Sequence, residues 1–221
     1  FSVDISVIAG GQWWEGSDRV IKGLGGAKVE PLALNGRPID PLVQGLLPAY
    51  LRVGGSEADK IHYFSHPNAS ESDALVLTRD MWDGVQAFVA RHQLKFSFTF
   101  KYGLFSREHH GRWRGDEVSR LLAYSRAHGH RLDICELGNE LNAYWAFHGI
   151  NAQPRAERLA ADYLAFSETV HDYYPHAQII GPGSAFWPRL GETLKPFSNL
   201  SQKFLRAARA RSVPLTIVDW H

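Results

Sequence analysis

The chain has 221 residues, of which 44% are hydrophobic and 21% are charged, and these values are typical of a folded globular protein. They exclude an intrinsically disordered chain, and no apolar stretch is long enough to cross a bilayer, so we expect no membrane partner. The formal net charge of +1 gives no reason to expect a nucleic-acid partner. Cys135 is the only cysteine, which excludes an intrachain disulfide and a multi-cysteine metal site.

Segments with strand character alternate with segments of helical character, and this order predicts an α/β fold with a parallel sheet. Six strands are expected, at residues 1–8, 50–53, 94–100, 132–137, 178–180 and 215–218. Between them, Asp40 is the expected N-cap of a short helix with Pro41 at its first position, and Thr78 is the expected N-cap of the next helix. Further helices are expected over residues 116–129, 154–173 and 201–211.

Six β/α units in this order fit either an open, doubly wound sheet or most of a (β/α)8 TIM barrel. A closed barrel needs eight strands and typically about 250 residues, whereas the sequence stops directly after the sixth predicted strand, at Trp220 and His221. The barrel interpretation therefore treats residues 1–221 as an incomplete catalytic domain. It expects a second polypeptide or a continuation to supply the last two strands. Residues 10–40 do not fit the repeat and predict an irregular insertion or a hairpin over one face.

The most specific chemical signal is the segment Glu136-Leu137-Gly138-Asn139-Glu140, which begins within the fourth predicted strand and continues past its end. In a barrel, catalytic groups lie at the carboxyl ends of the strands. A carboxylic acid beside an amide suits glycoside hydrolysis at this place, because the acid can protonate the leaving oxygen while the amide holds a sugar hydroxyl. The structural alternative is a helix cap or a surface loop.

Residues 133–142 resemble the acid/base segment of the heparanase and β-glucuronidase family, glycoside hydrolase family 79. Other segments agree with this family in order and spacing. The second strand region, 47–56, reads LPAYLRVGGS, the fifth, 179–183, reads IIGPG, and the sixth, 218–221, reads VDWH. The resemblance covers most of the chain apart from residues 10–40 and implies a retaining TIM-barrel glycosidase.

The resemblance also implies roles for individual residues. Glu140 would be the general acid/base, and Asn139 would bind the 2-hydroxyl of the sugar that is cleaved. Arg52 would point towards the nucleophile and keep it ionised, since a nearby cation lowers the pKa of a carboxyl group, and His221 would lie close to that nucleophile. Three further residues would line the sugar site: Asp4, Gly55 and Ser56.

Two departures from the family pattern bear on these roles. Family members usually have Pro after the catalytic Glu, whereas this chain has Leu141, which loosens the turn. In this family the nucleophile lies on the seventh strand. A retaining mechanism requires two carboxylates about 5 Å apart. The second carboxylate must therefore come from outside these residues. We interpret Glu136, which has the strand parity of Glu140, as a buried and paired structural carboxylate. No metal or organic cofactor is expected, because two carboxylates suffice.

The segment between the third strand and the next helix is rich in arginine. Arg107, Arg112 and Arg114 lie there together with Trp113, and loops that follow barrel strands stand on the active-site face. Arginine can pair with sulfate or carboxylate, and Trp113 can stack on a sugar ring. The alternative is a solvated charged loop. The functional interpretation predicts that the substrate is a polyanionic, uronic-acid-containing polysaccharide with sugars on both sides of the cleaved bond.

Together these features predict a retaining, heparanase-like endo-β-glucuronidase that hydrolyses glucuronic-acid linkages in heparan sulfate or related glycosaminoglycans. An exo-β-glucuronidase, a hyaluronidase-like enzyme and a catalytically inactive carbohydrate-binding barrel are the alternatives. We expect a secreted, periplasmic or extracellular location for the protein.

Overall fold

The computed structural model describes residues 1–14, 26–32, 34, 39–64, 75–103, 111–147, 150–185 and 199–221. The strands in chain order are β1 (Ser2–Asp4), β2 (Gly11–Trp14), β3 (Gly26–Val29), β4 (Tyr50–Gly54), β5 (His62–Tyr63), β6 (Val76–Leu77), β7 (Lys95–Phe100), β8 (Ile134–Leu137), β9 (Gln178–Ile180) and β10 (Leu215–Ile217). The helices are α1 (Ile5–Ala9), α2 (Asp40–Gln44), α3 (Arg79–Arg91), α4 (Asp116–Ala127), α5 (Tyr144–Phe147), α6 (Ala156–Tyr173) and α7 (Leu200–Ala210). No helix in these ranges is long and apolar enough to span a membrane.

Six of the strands form one parallel sheet in the order β1-β4-β7-β8-β9-β10. Each strand lies beside the next sheet strand along the chain, so the order never reverses. A doubly wound sheet would reverse its order at a switch point, whereas successive addition in one direction is the pattern of a barrel. The chain is therefore a partial (β/α)8 barrel that supplies six strands, and the strand predictions are confirmed in number and order.

The first strand is shorter than the sequence predicts. Residues 1–8 were expected to be extended, but β1 ends at Asp4 and α1 follows at once. The Asp4 Oδ1 atom accepts a hydrogen bond of 2.9 Å from the Ser6 amide, and this side-chain cap starts the helix. The prediction of a strand beyond residue 4 was wrong, because alternating apolar residues cannot reveal a cap that ends the strand.

The helix predictions are confirmed with small shifts at the ends. The Thr78 Oγ1 atom accepts a hydrogen bond of 3.2 Å from the Met81 amide, as an N-cap should. Asp40 is the first residue of α2 rather than its N-cap, which is Ile39. The Asp40 carboxylate instead contacts Arg91 at 3.1 Å and His92 at 2.9 Å. The tertiary ion pair thus replaces the expected capping bond.

The insertion after α1 contains an antiparallel hairpin. Its strands β2 and β3 pair from Gly11 opposite Val29 to Trp14 opposite Gly26. Residues 15–25 of the insertion lie outside the described residues. A hairpin interrupting the β/α repeat needs no partner in the barrel sheet, because its two strands satisfy each other.

The two faces of the central strands are chemically different. On one side of β7, Phe96 and Phe98 pack against Trp82 of α3, and Phe100 packs against Phe166 of α6. The opposite face, directed away from the helices, carries polar residues in register. Arg52 lies opposite Ser97, and Thr99 lies opposite Glu136. Side chains alternate between the two faces of a strand. The aromatic face therefore packs against the helices, and the polar face lines the barrel interior.

Candidate active site

The segment after β8 turns sharply out of the strand. Gly138 has a φ of 76° and Glu140 a φ of 52°, so both are in the left-handed region. A Cβ atom on Gly138 would lie 2.5 Å from Leu141 Cδ2 and 2.8 Å from Tyr102 Cβ, which is why glycine is required there. The Glu140 amide donates a hydrogen bond of 2.7 Å to the Gly183 carbonyl. The loop after β9 therefore holds the backbone of Glu140 in a conformation that is costly for a non-glycine residue.

Arg52 links two residues of the β8 segment. Its Nε and Nη2 atoms lie 2.9 and 2.7 Å from Glu136 Oε2, and its Nη2 atom donates a 3.1 Å hydrogen bond to Asn139 Oδ1. Thr99 Oγ1 donates to the same Glu136 oxygen at 2.5 Å. Glu136 is fully buried, whereas the Arg52 side chain is 23% exposed. The buried carboxylate is thus paired, as the sequence interpretation expected, and it fixes the guanidinium that orients Asn139.

His221 lies among three carboxylates. Its Nδ1 atom is 3.5 Å from Glu140 Oε1, and its Nε2 atom is 3.9 Å from both Glu136 Oε1 and Asp219 Oδ2. The Glu140 side chain is 18% exposed, so it is accessible from the carboxyl end of the sheet. The structure brings Glu140, Asn139, Arg52 and His221 together at this end, where barrel enzymes have their catalytic groups.

Asp59, which the sequence did not identify as a site residue, binds the backbone of the segment that contains Asn139. The Asn139 amide donates to Asp59 Oδ2 and the Tyr102 amide donates to Asp59 Oδ1, both at 3.0 Å. Burial is the largest influence on this carboxyl group and raises its pKa to about 6, against the opposing effect of hydrogen bonds from Tyr144 and the two amides. Asp59 therefore joins the loops after β4, β7 and β8 through one side chain.

We expect Asp59→Asn to lower both stability and activity. An amide has only one acceptor oxygen, so its NH2 group would face the amide of Tyr102 or Asn139 and leave a buried donor unsatisfied. The expected cost is about 1–3 kcal/mol in the free energy of unfolding, measured with denaturant. Asp172→Asn, at an exposed position of α6, is the matched control. If the Asp59 variant is as stable and active as this control, then Asp59 does not position Asn139.

The remaining residues predicted for the sugar site lie nearby. Asp4 and Gly54 are paired across β1 and β4, and a Cβ atom on Gly55 would collide with the Asp4 carboxylate. Gly55 has a φ of 102° and leads into a short 3-10 helix over Ser56–Asp59. Asp4, Gly55 and Ser56 are therefore neighbours at the carboxyl ends of the first two sheet strands.

The arginine-rich segment is only partly as expected. Arg107 lies outside the described residues, and Arg112 is exposed. Arg114 is also exposed and pairs with Asp116 at 2.5 Å. Trp113 is only 7% exposed, donates its indole N–H to the Lys101 carbonyl at 3.2 Å and packs against a core phenylalanine. Stacking of Trp113 on a sugar ring is therefore contradicted, because the ring is buried against Phe166 of α6.

One cluster has the composition of a metal site. A ligand atom from each of Glu136, Asp219 and His221 lies within 4.8 Å of the others. The guanidinium of Arg52, 2.7 Å from Glu136, already supplies a positive charge there and opposes a second cation. Asp219 itself was missed by sequence reasoning. The available signal was its position two residues beyond a sheet strand, because Glu140 was identified from a similar position three residues beyond β8.

Several solved structures of similar fold are glycoside hydrolases. A bifunctional glucanase-xylanase, CelM2, from a metagenome library aligns over 100% of this chain and 56% of its own, with 12% identity and a TM-score of 0.55. A Paenibacillus polymyxa xyloglucanase of family 44 aligns over 78% of this chain and 48% of its own, with 11% identity and a TM-score of 0.53. The chain thus spans about half the length of these structures. At such identities the likeness establishes the barrel fold.

The sequence itself places the chain among the glycoside hydrolases. The family description "Glycosyl hydrolase family 79, N-terminal domain" matches residues 7–190, which is most of the chain. No curated protein matches at a significant level. The chain belongs to glycosyl hydrolase family 79.

Proposed function

We propose that this domain is part of a retaining β-glucuronidase in which Glu140 is the general acid/base. The observation that carries the proposal is the position of Glu140. It lies partly exposed beyond the end of β8, beside Asn139 and within 3.5 Å of His221. Membership of family 79 and the agreement of several strand segments with the heparanase and β-glucuronidase pattern support the glucuronidase assignment.

The hydrogen bonds around Asn139 suit its proposed role. Because Asn139 Oδ1 accepts from Arg52, the amide NH2 group is left to donate to the sugar 2-hydroxyl. Such a bond strengthens in an oxocarbenium-like transition state. Glu140 would first protonate the leaving oxygen and then deprotonate the incoming water, as microscopic reversibility requires. Arg52 reaches both Asn139 and the polar barrel interior, where we place the nucleophile that its charge would keep ionised.

We propose that the nucleophile comes from a seventh strand beside β10. Within the described sheet, β1 and β10 each have a partner on one side only. Val218 and Trp220, which follow β10, are 47% and 69% exposed. Large apolar side chains at an unpaired strand edge are suited to be covered by a further strand. A continuation of the chain or a second polypeptide would supply the seventh and eighth strands and, with them, the second carboxylate.

The proposed substrate is a polyanionic chain, with heparan sulfate and related glycosaminoglycans as the leading class. Arg112 is exposed in the loop after β7, near the active-site end of the sheet. Arg107 belongs to the same segment, and Arg114 shares its charge with Asp116. Exposed arginine pairs are individually weak and are screened by salt. A contribution from this loop should therefore be visible for a long sulfated chain and small for a single sugar.

The triple variant Arg107→Ala, Arg112→Ala and Arg114→Ala in the full-length enzyme tests this substrate class. We expect a higher KM for heparan sulfate-like chains, little change for a small aryl β-glucuronide, and a weaker dependence of KM on salt. The matched control removes three exposed arginines in and directly after α7: Arg206, Arg209 and Arg211. If both triple variants behave alike on both substrates, the loop does not recognise the polyanion. Cleavage of hyaluronan, or of terminal sugars only, would favour the hyaluronidase-like or exo-acting alternative.

A further inference from the structure

The two oxygens of Glu136 have very different surroundings. Oε2 receives the Arg52 guanidinium and the Thr99 hydroxyl. Oε1 is buried, and no donor in the described part of the chain hydrogen-bonds to it. A carboxylate oxygen that is buried without a donor is costly. We therefore expect Oε1 to accept a hydrogen bond from a neighbouring group whose proton is not visible from the positions of the heavy atoms.

Asp219 lies in the position from which such a donor could come. A Cβ atom on Gly183 would meet Glu136 Oε1, and the Gly183 amide donates a 2.9 Å hydrogen bond to Asp219 Oδ1. The two carboxyl groups therefore flank the same glycine. Asp219 Oδ2 makes no closer contact with His221 than 3.9 Å. Of the two Asp219 oxygens, Oδ1 is thus engaged by a backbone amide, while Oδ2 is available to carry a proton.

The charges around the pair favour one negative charge rather than two. Arg52 provides one full positive charge on the Glu136 side. The other titratable groups that face Asp219 are His221, Glu140 beyond it, and Tyr163 of α6, whose hydroxyl donates to the Leu137 carbonyl. Two carboxylates in one buried site cannot both ionise without a large cost, and the usual solution is a shared proton.

We propose that Asp219 is a positioning residue that remains protonated in the working enzyme and donates its O–H hydrogen bond to Glu136 Oε1. The pair then carries one negative charge, balanced by Arg52, and both oxygens of Glu136 are satisfied. In this state the Arg52 guanidinium stays in the orientation that holds Asn139. This proposal rests on the proposed function, since it assigns Asp219 to the same active site as Glu140 and Asn139.

The ionisation of Asp219 agrees with this geometry. Burial, followed by the charge of Glu136, raises its pKa to about 7, well above the ordinary value of 3.8. When the pKa of a carboxyl group is higher in the folded than in the unfolded state, the group contributes most to stability at a pH low enough to protonate it in both the folded and the unfolded protein. Stability from this source falls as the pH rises from about 4 to about 7 and is constant above that. Above pH 7 the second negative charge would compete for Arg52 and disturb Asn139.

The experiment compares the full-length wild-type protein with Asp219→Asn, whose amide can donate to Glu136 without titrating. The control is Asp172→Asn, at an exposed aspartate of α6 for which the described structure has no ion pair. We expect the Tm of Asp219→Asn minus that of wild type to increase from pH 4 to pH 7 and then level off, and the same difference for the control to stay constant. Asp59, whose pKa is also raised, should give a protonated-carboxyl band at pH 5 in both proteins. The wild-type infrared spectrum at pH 5 should contain a further protonated-carboxyl component that Asp219→Asn lacks. These two measurements do not depend on any glycosidase activity.

Activity supplies a third readout if the enzyme is a glycosidase. The alkaline side of the kcat/KM profile should show two ionisations in wild type and one in Asp219→Asn. A Tm difference that is independent of pH, or identical infrared spectra, would overturn the proposal. So would a divalent cation that raises the Tm of wild type but not that of the variant, since the donor at Oε1 would then be a metal ion. If Asp219→Asn does not fold, carbon NMR of wild type labelled at the aspartate carboxyl carbons must show a group that titrates near pH 7 in addition to the raised signal of Asp59, or the proposal fails.

Discussion

Glu140→Gln is expected to reduce the hydrolysis of unactivated glycans by about 10²- to 10⁴-fold, the usual contribution of a general acid. The amide is nearly isosteric with the carboxylic acid but cannot transfer a proton to the leaving oxygen. The first step with an activated aryl leaving group should be largely spared, because such a group departs without protonation. Steady-state and pre-steady-state rates on both kinds of substrate measure the two effects separately.

The matched control for this substitution is Glu157→Gln, at an exposed position in the first turn of α6. It removes the same charge from the same domain and should leave both rates unchanged. Glu140 contacts His221 at 3.5 Å and has no buried ion pair in the described structure, so the variant should fold normally. Wild-type rates for Glu140→Gln on an unactivated glycan would show that another group is the proton donor.

Arg52→Ala is expected to give the largest loss of stability, about 3–5 kcal/mol, because it leaves the fully buried Glu136 without its charged partner. Activity should fall as well, since the guanidinium also holds Asn139 Oδ1 at 3.1 Å. Denaturant unfolding measures the first effect, and kcat/KM measures the second. The part of the Arg52 side chain that is exposed to solvent moderates the cost towards the lower end of this range.

Two further variants make the cause of this effect testable. Arg131→Ala breaks the exposed pair with Asp133 and should cost no more than about 1 kcal/mol. Adding Glu136→Gln to Arg52→Ala should recover part of the lost stability, because the neutral amide is far less costly to bury than a carboxylate. Activity should stay low in the double variant, since no guanidinium then holds the side-chain oxygen of Asn139. Equal destabilisation by Arg52→Ala and Arg131→Ala would mean that the buried pair does not contribute as described.

The sequence by itself determined the parallel strand framework and the location of Glu140, the residue proposed as the acid. Strand and helix periodicities are local, and the carboxyl ends of parallel strands meet at one edge. For that reason the segment Glu136–Glu140 could be assigned to the active-site end without coordinates. The neighbouring positions of Arg52 and His221 followed from the resemblance to family 79 rather than from any pattern in these residues.

Only the tertiary structure decided which side chains share a contact across long separations. Asp59 meets Asn139 eighty residues along the chain, and Asp219 meets Gly183 and Glu136 after the sheet has brought β8, β9 and β10 together. Trp113 shows the same limit, because its place in an arginine-rich segment suggested an exposed ring while packing between β7 and α6 buried it. The burial and the hydrogen-bond partners of a residue depend on the side chains that surround it in the fold. Elements that are distant in sequence supply many of these side chains, so a local sequence pattern does not reveal them.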